Sequence, residues 1–115
     1  MREALINLLK TYGYPVRRQG SIGPKEKYPD SFFTIWNGET DDVSHYDDKP
    51  TAMVWDFDVN FYSKSSSLVN STIIDVVGKL RAAGWIVSGY GYDLPTDEPT
   101  HVGRGILAVY REITN

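Results

Sequence analysis

The chain holds two histidines, and each sits among carboxylates. His45 lies within a run carrying Glu39, Asp41, Asp42, Asp47 and Asp48, and His101 follows Asp93, Asp97 and Glu98. An imidazole beside clustered acids can hold a hard cation or act as a general base. The spacing argues against the standard versions of both. The Asp-x-Asp-x-Asp-Gly pattern of a calcium loop, with its distal glutamate, is missing. No serine stands on a recognisable nucleophile elbow. There is no cysteine, which removes thiol catalysis, disulfide scaffolds and cysteine-ligated zinc. A small metal-binding or hydrolytic domain using His45, His101 and the nearby carboxylates therefore stands as the alternative. The plainer reading is a pair of solvated acidic loops, and the residues imply neither a metal nor a cofactor.

Two further charged groups stand out. Arg17, Arg18, Lys25 and Lys27 form a cationic segment around a loop marked by Gly20, Gly23 and Pro24. It could contact phosphates, yet only Tyr28 supplies an interleaved aromatic, so a solvated loop explains it as well. Its sign opposes that of Asp41, Asp42, Asp47 and Asp48, and oppositely charged loops on one small body suit head-to-tail contacts between identical subunits. Asp56 and Asp58 lie on alternate positions of a strand whose other face is apolar.

That strand is the element positioning everything else. From Thr51 to Ser63, Met53, Trp55, Phe57, Val59 and Phe61 alternate with Asp56, Asp58, Asn60 and Tyr62, the period of a half-buried strand. The cover for its apolar face follows as a helix over 68–83, with Val69, Ile73, Val76, Val77 and Leu80 on one stripe, an N-cap at Ser67 and a stop at Gly84. An N-terminal helix over 2–12 carries Leu5, Ile6, Leu8 and Leu9 and ends at Gly13. Val16–Ser21 reads as a short strand. Ser31–Asn37, apolar at Phe32, Phe33, Ile35 and Trp36, reads as a strand covered on both sides, closed by an Asn37-Gly38 turn and then a long acidic loop over 39–50. Trp85–Tyr92 reads as a strand whose Gly89 and Gly91 make a thin spot for the N-terminal helix. The glycines make no dinucleotide fingerprint, because no helix follows them. A loop over 93–103 and an internal strand over 104–113 complete the chain.

These elements predict one α+β domain over residues 1–115: a mainly antiparallel sheet of four to five strands with two helices packed against it. The 115 residues, 41% hydrophobic and 13% aromatic, suffice for one core. A net charge of −3 speaks against a protein whose main task is gripping nucleic acid. No run approaches the ~20 apolar residues of a membrane span. The first ten residues lack the pattern of a secretory signal, so the expected location is intracellular.

Three strings carry a resemblance: Tyr28-Pro29-Asp30-Ser31-Phe32-Phe33, Trp55-Asp56-Phe57-Asp58-Val59-Asn60-Phe61, and Gly91-Tyr92-Asp93-Leu94-Pro95-Thr96-Asp97-Glu98-Pro99-Thr100-His101. They resemble small neck and tail proteins of long-tailed phages and prophages of Gram-positive bacteria. The layout is similar to the tail-terminator (tail completion, head-tail joining) family: N-terminal helix, long acidic loop, long alternating strand, helix, final strand pair. This chain is at the short end of that family. The resemblance implies a non-enzymatic structural protein, a hexameric ring that caps the tail tube and joins it to the head, with subunits monomeric before assembly. Its partners would be copies of itself, the major tail tube protein and head-connector proteins. Its place would be the virion tail or neck, and the host cytoplasm during assembly. DNA would pass without specific binding, along a lumen for which Asp56 and Asp58 are candidates. A monomeric adaptor module on the same frame is the remaining alternative.

Overall fold

A computed structural model of the chain describes residues 2–18, 29–46, 49–96 and 99–113, with the backbone alone over 39–46 and 49–51. Two helices and six strands follow the order α1 (Arg2–Lys10), β1 (Val16–Arg18), β2 (Ser31–Tyr46), β3 (Lys49–Ser63), α2 (Ser66–Ala82), β4 (Ile86–Val87), β5 (Tyr92–Leu94) and β6 (Val102–Ile113). The class is α+β as expected, with one strand more than the upper count read from the sequence. The extra strand comes from the 85–92 stretch. It does not run as one strand but splits into β4 and β5 around a turn where Gly89 and Gly91 both take positive φ (+70° and +98°). The glycines therefore serve a turn and not a thin spot beneath α1.

The strands line up as β1-β2-β3-β6-β4, with β5 pairing the start of β6. Pairing is antiparallel except between β1 and β2. Since β3 and β4 both run antiparallel to β6, they are parallel to each other, and α2 is the crossover that joins them.

Alternation along β3 behaves as its pattern requires. Phe57, Val59 and Phe61 are fully buried, and Trp55 packs partly buried at the margin of the core. Helix α2 adds Val69, Ile73, Val76, Val77 and Leu80, and α1 adds Leu5 and Leu9, so both helices seal the same face. Each large side chain so removed from water contributes about 1.5–3 kcal/mol. Helix α2 begins two residues earlier than the periodicity predicts. Its cap is Ser65, whose hydroxyl oxygen accepts from the Leu68 N–H at 3.3 Å, the usual neutralisation of an orphan donor. Gly84, at φ +94°, supplies the left-handed stop.

The largest departure concerns the acidic interval. Residues 39–46 and 49–50 are strand, so β2 and β3 form one hairpin of 16 and 15 residues. Asn37-Gly38 does not turn the chain; the register shifts between Asn37 and Thr40, a bulge that strand pairing absorbs. The long hairpin stretches the molecule to 53 × 29 × 22 Å, with a radius of gyration of 15.4 Å, against about 13 Å for a compact domain of this length.

Candidate functional site

His101 is buried, and its surroundings define its role. The ring Nε2–H donates to the Pro29 carbonyl at 2.8 Å, and Nδ1 lies 3.0 Å from the Thr100 hydroxyl. A carbonyl only accepts, so in the neutral ring Nδ1 is the acceptor from Thr100. The Phe32 ring packs 6.0 Å away, and Thr96 donates to the His101 carbonyl at 2.9 Å. This histidine ties the start of β6 to the lead-in of β2. His45 pairs with Pro50 near the hairpin tip, whereas His101 adjoins the Ser63–Val102 rung at the other end of the sheet. At ~3.3 Å per residue the two backbones are separated by roughly 40 Å along β3. The two histidines do not converge, and among the described residues no group of three His, Asp or Glu could hold a metal ion.

The charged segments are placed differently from expectation. Arg17 and Arg18 belong to β1, in register with Thr34 and Ile35. Asp41 and Asp42 lie further along the same β2, opposite Val54 and Met53. Both signs thus occupy one sheet edge, and not two opposed edges of the subunit. Lys25, Lys27, Asp47 and Asp48 lie outside the described residues. Arg2, Arg17 and Arg18 contribute to the lining of a cleft of about 360 Å³, together with Ile6, Val16, Ile35 and Trp36.

The face of the sheet opposite the helices is the surface that needs an account. An antiparallel sheet covered on one side ordinarily presents polar residues on the other. Here the alternation and register bring together Phe32, Thr34 and Trp36 of β2, Asp56, Asp58, Asn60 and Tyr62 of β3, and Gly103, Gly105, Leu107 and Val109 of β6. One end is sealed by the face's own side chains: Phe32 stacks on Tyr62 at 5.2 Å and meets the His101 ring at a tilt. The rest stays open. Trp36 is 50% exposed, Leu107 48%, Ile86 62% and Tyr92 48%, and a shallow hollow of about 170 Å³ runs between Ile86, Tyr90, Tyr92 and Leu107.

Asp56 and Asp58, both half-buried, lie within this apolar surround. Burial, reinforced by the neighbouring Asp56 carboxylate, raises the Asp58 pKa above the ordinary value. Burial and then the Asp58 charge push the Tyr92 phenol up. The side chain of Asn60 is buried below them. Its amide approaches the Thr34 hydroxyl at 3.4 Å, and its Oδ1 has no hydrogen-bond partner.

Gly103 and Gly105 allow this arrangement. A Cβ at Gly105 would come 2.4 Å from Asn60 Oδ1, and one at Gly103 would come 2.6 Å from the Tyr62 ring. The hollow's outer wall is held by two arginines. Arg81 donates to the Val87 carbonyl at 2.8 and 3.1 Å and to the Gly89 carbonyl at 3.2 Å. Arg104 donates to the carbonyls of Tyr90 and Gly91 at 3.0 and 3.1 Å and to Asp93 at 3.0 Å.

Apolar groups on both faces of the 31–37 and 104–113 strands predict cover on two sides, whereas Trp36 and Leu107 are half-exposed. The available signal was the supply of helices: two amphipathic helices cover one face only. Comparison with protein-family models and with curated proteins finds no match to this chain. Among the described residues no helix is long and apolar enough to cross a membrane.

Proposed function

We propose that the protein is a non-enzymatic structural subunit of a phage or prophage tail or neck. It assembles with copies of itself as a ring, hexameric by its resemblance to tail terminators, that caps the tail tube and joins it to the head. The observation that carries this reading is the uncovered sheet face with half-exposed Trp36, Ile86, Tyr92 and Leu107. Large apolar side chains gathered on one exposed face are the usual mark of an interface. The elongated β2–β3 hairpin supports it as well, because an arm reaching beyond the body suits contact with neighbours. An acidic balance of 15 carboxylates to 12 basic residues suits a subunit that DNA passes without being held. Asp56 and Asp58 are better placed as part of the contact surface than as a wet lumen lining, since apolar side chains flank them on three strands.

Negative-stain microscopy and light scattering of the purified protein, alone and with isolated tail tubes, test this reading. Closed rings, or protein bound at tube ends, are expected. A monomer at every concentration that ignores tube ends would refute it.

A further inference from the structure

Resting on the reading of the chain as a self-assembling subunit, we infer that copies join edge to edge. Trp36 on the outer edge of β2 enters the hollow at the β4–β5 edge of a second copy, and Asp41 meets that copy's Arg111. Both edges are open. Strand β1 pairs only with Phe33–Ile35, so from Trp36 onward no strand among the described residues flanks β2 on that side. Strand β4 pairs with Ala108 and Val109, and from Arg111 onward none among them flanks the outer side of β6. The two edges differ in kind. That of β2 carries a knob, the half-exposed indole of Trp36, followed by Glu39, Asp41 and Asp42. The other carries the hollow of about 170 Å³ between Ile86, Tyr90, Tyr92 and Leu107. Beyond it stands Arg111, exposed and without an ion-pair partner among the described residues.

Register makes the two edges match. Trp36, Asp58 and Leu107 stand in one row across β2, β3 and β6, and Asp41, Val54 and Arg111 stand in another. The rows are about 13 Å apart, the rise of four strand residues. Strands β2 and β6 both run antiparallel to β3, so the two edges point the same way. A ring whose axis follows the strands sets one copy's β2 edge beside its neighbour's outer edge with no shift along them. Knob then meets hollow and carboxylate meets guanidinium at the same time, a head-to-tail contact in which every copy gives one edge and receives the other. A twofold joint between two β2 edges would instead set acid against acid, which is destabilising across neighbouring strands. Trp, Tyr and Arg are the side chains that most often carry an interface's binding energy. The joint is made by side chains and not by strand addition, because Arg81 already holds the Val87 and Gly89 carbonyls beside the hollow.

Sedimentation velocity over a concentration series tests the joint, with circular dichroism establishing that each variant folds. Trp36→Ala removes the knob and is expected to weaken association at least about tenfold. Asp41→Lys and Arg111→Glu each set like charges together and are expected to weaken it about threefold. The chain carrying both charge changes is expected to associate within about twofold of the unmodified chain, because the exchange restores an opposite pair in every joint. Damage to the fold alone would give no such recovery. Unchanged association of Trp36→Ala, or no recovery in the doubly exchanged chain, would overturn the joint while leaving the tail-protein reading intact. So would an unmodified chain that stays monomeric at every concentration yet binds tube ends. A chain that neither associates nor binds tube ends would overturn both.

Discussion

Asp58 sets the chemistry of the open face. Its pKa is raised in the folded chain, by burial first and the Asp56 charge second, so folding favours the protonated form. The stabilisation from this group is present at low pH and is lost as pH rises through the raised pKa. Asp58→Asn should therefore raise the melting temperature at pH 7, and the gain should vanish as pH approaches the ordinary carboxylate range. A melting series from pH 4 to 8 checks this. The same substitution should lower the Tyr92 pKa, because the Asp58 charge is one of the two causes that raise it; ultraviolet titration of the phenol reads that directly. Gly105 is the second sensitive residue. Gly105→Ala forces a methyl against Asn60 Oδ1 and should cost about 1–3 kcal/mol through overpacking, measured by urea unfolding. On the covered face, Phe57→Ala should cost about 3–5 kcal/mol by the same measurement, since the ring is fully buried between Trp55 and Trp85.

At the scale of elements, the joint between α1 and α2 is polar. The Tyr12 hydroxyl donates to Asp75 at 2.5 Å, and Lys79 sits 4.3 Å over the Tyr12 ring while pairing with Asp75 at 3.5 Å. The Tyr12 hydrogen bond is the main cause that holds the Asp75 pKa down. Its contribution is present above the ordinary carboxylate range and is lost as pH falls through the depressed value. Tyr12→Phe should thus lower the melting temperature at neutral pH, with the difference from the unmodified chain closing in acid.

The covered half of this architecture was legible from residues. Five apolar positions at period two on β3, and the three-and-four spacing on α2, mark which face is dry. The hairpin was hidden because eight residues of β2, Glu39–Tyr46, have strand-poor composition and are held by pairing with β3. The split of β4 and β5 was hidden because Gly89 and Gly91 satisfy a strand pattern and a turn equally until their φ is known. His101 in its acidic string invites a general-base alternative on residue types alone, and only tertiary contacts with Pro29 and Phe32, distant in sequence, show it to be a structural tie.

For the whole molecule, the question is why one side of the sheet stays uncovered. Two helices are enough to seal one face of a sheet this long. The other face is apolar at Trp36, Ile86 and Leu107 and carries two half-buried carboxylates, Asp56 and Asp58. A solitary domain would gain solubility by making that surface polar. A subunit that spends its working life against copies of itself has reason to keep it.

Sedimentation of the unmodified chain beside Leu107→Glu, over a common concentration series, addresses that claim most directly. Leu107 is half-exposed on the open face and lies directly opposite Asp58, so the added carboxylate should cost up to about 1 kcal/mol of stability, and circular dichroism across the same series checks that the variant stays folded. The account predicts larger species for the unmodified chain at high concentration and a monomer throughout for Leu107→Glu. Two indistinguishable sedimentation profiles would contradict it.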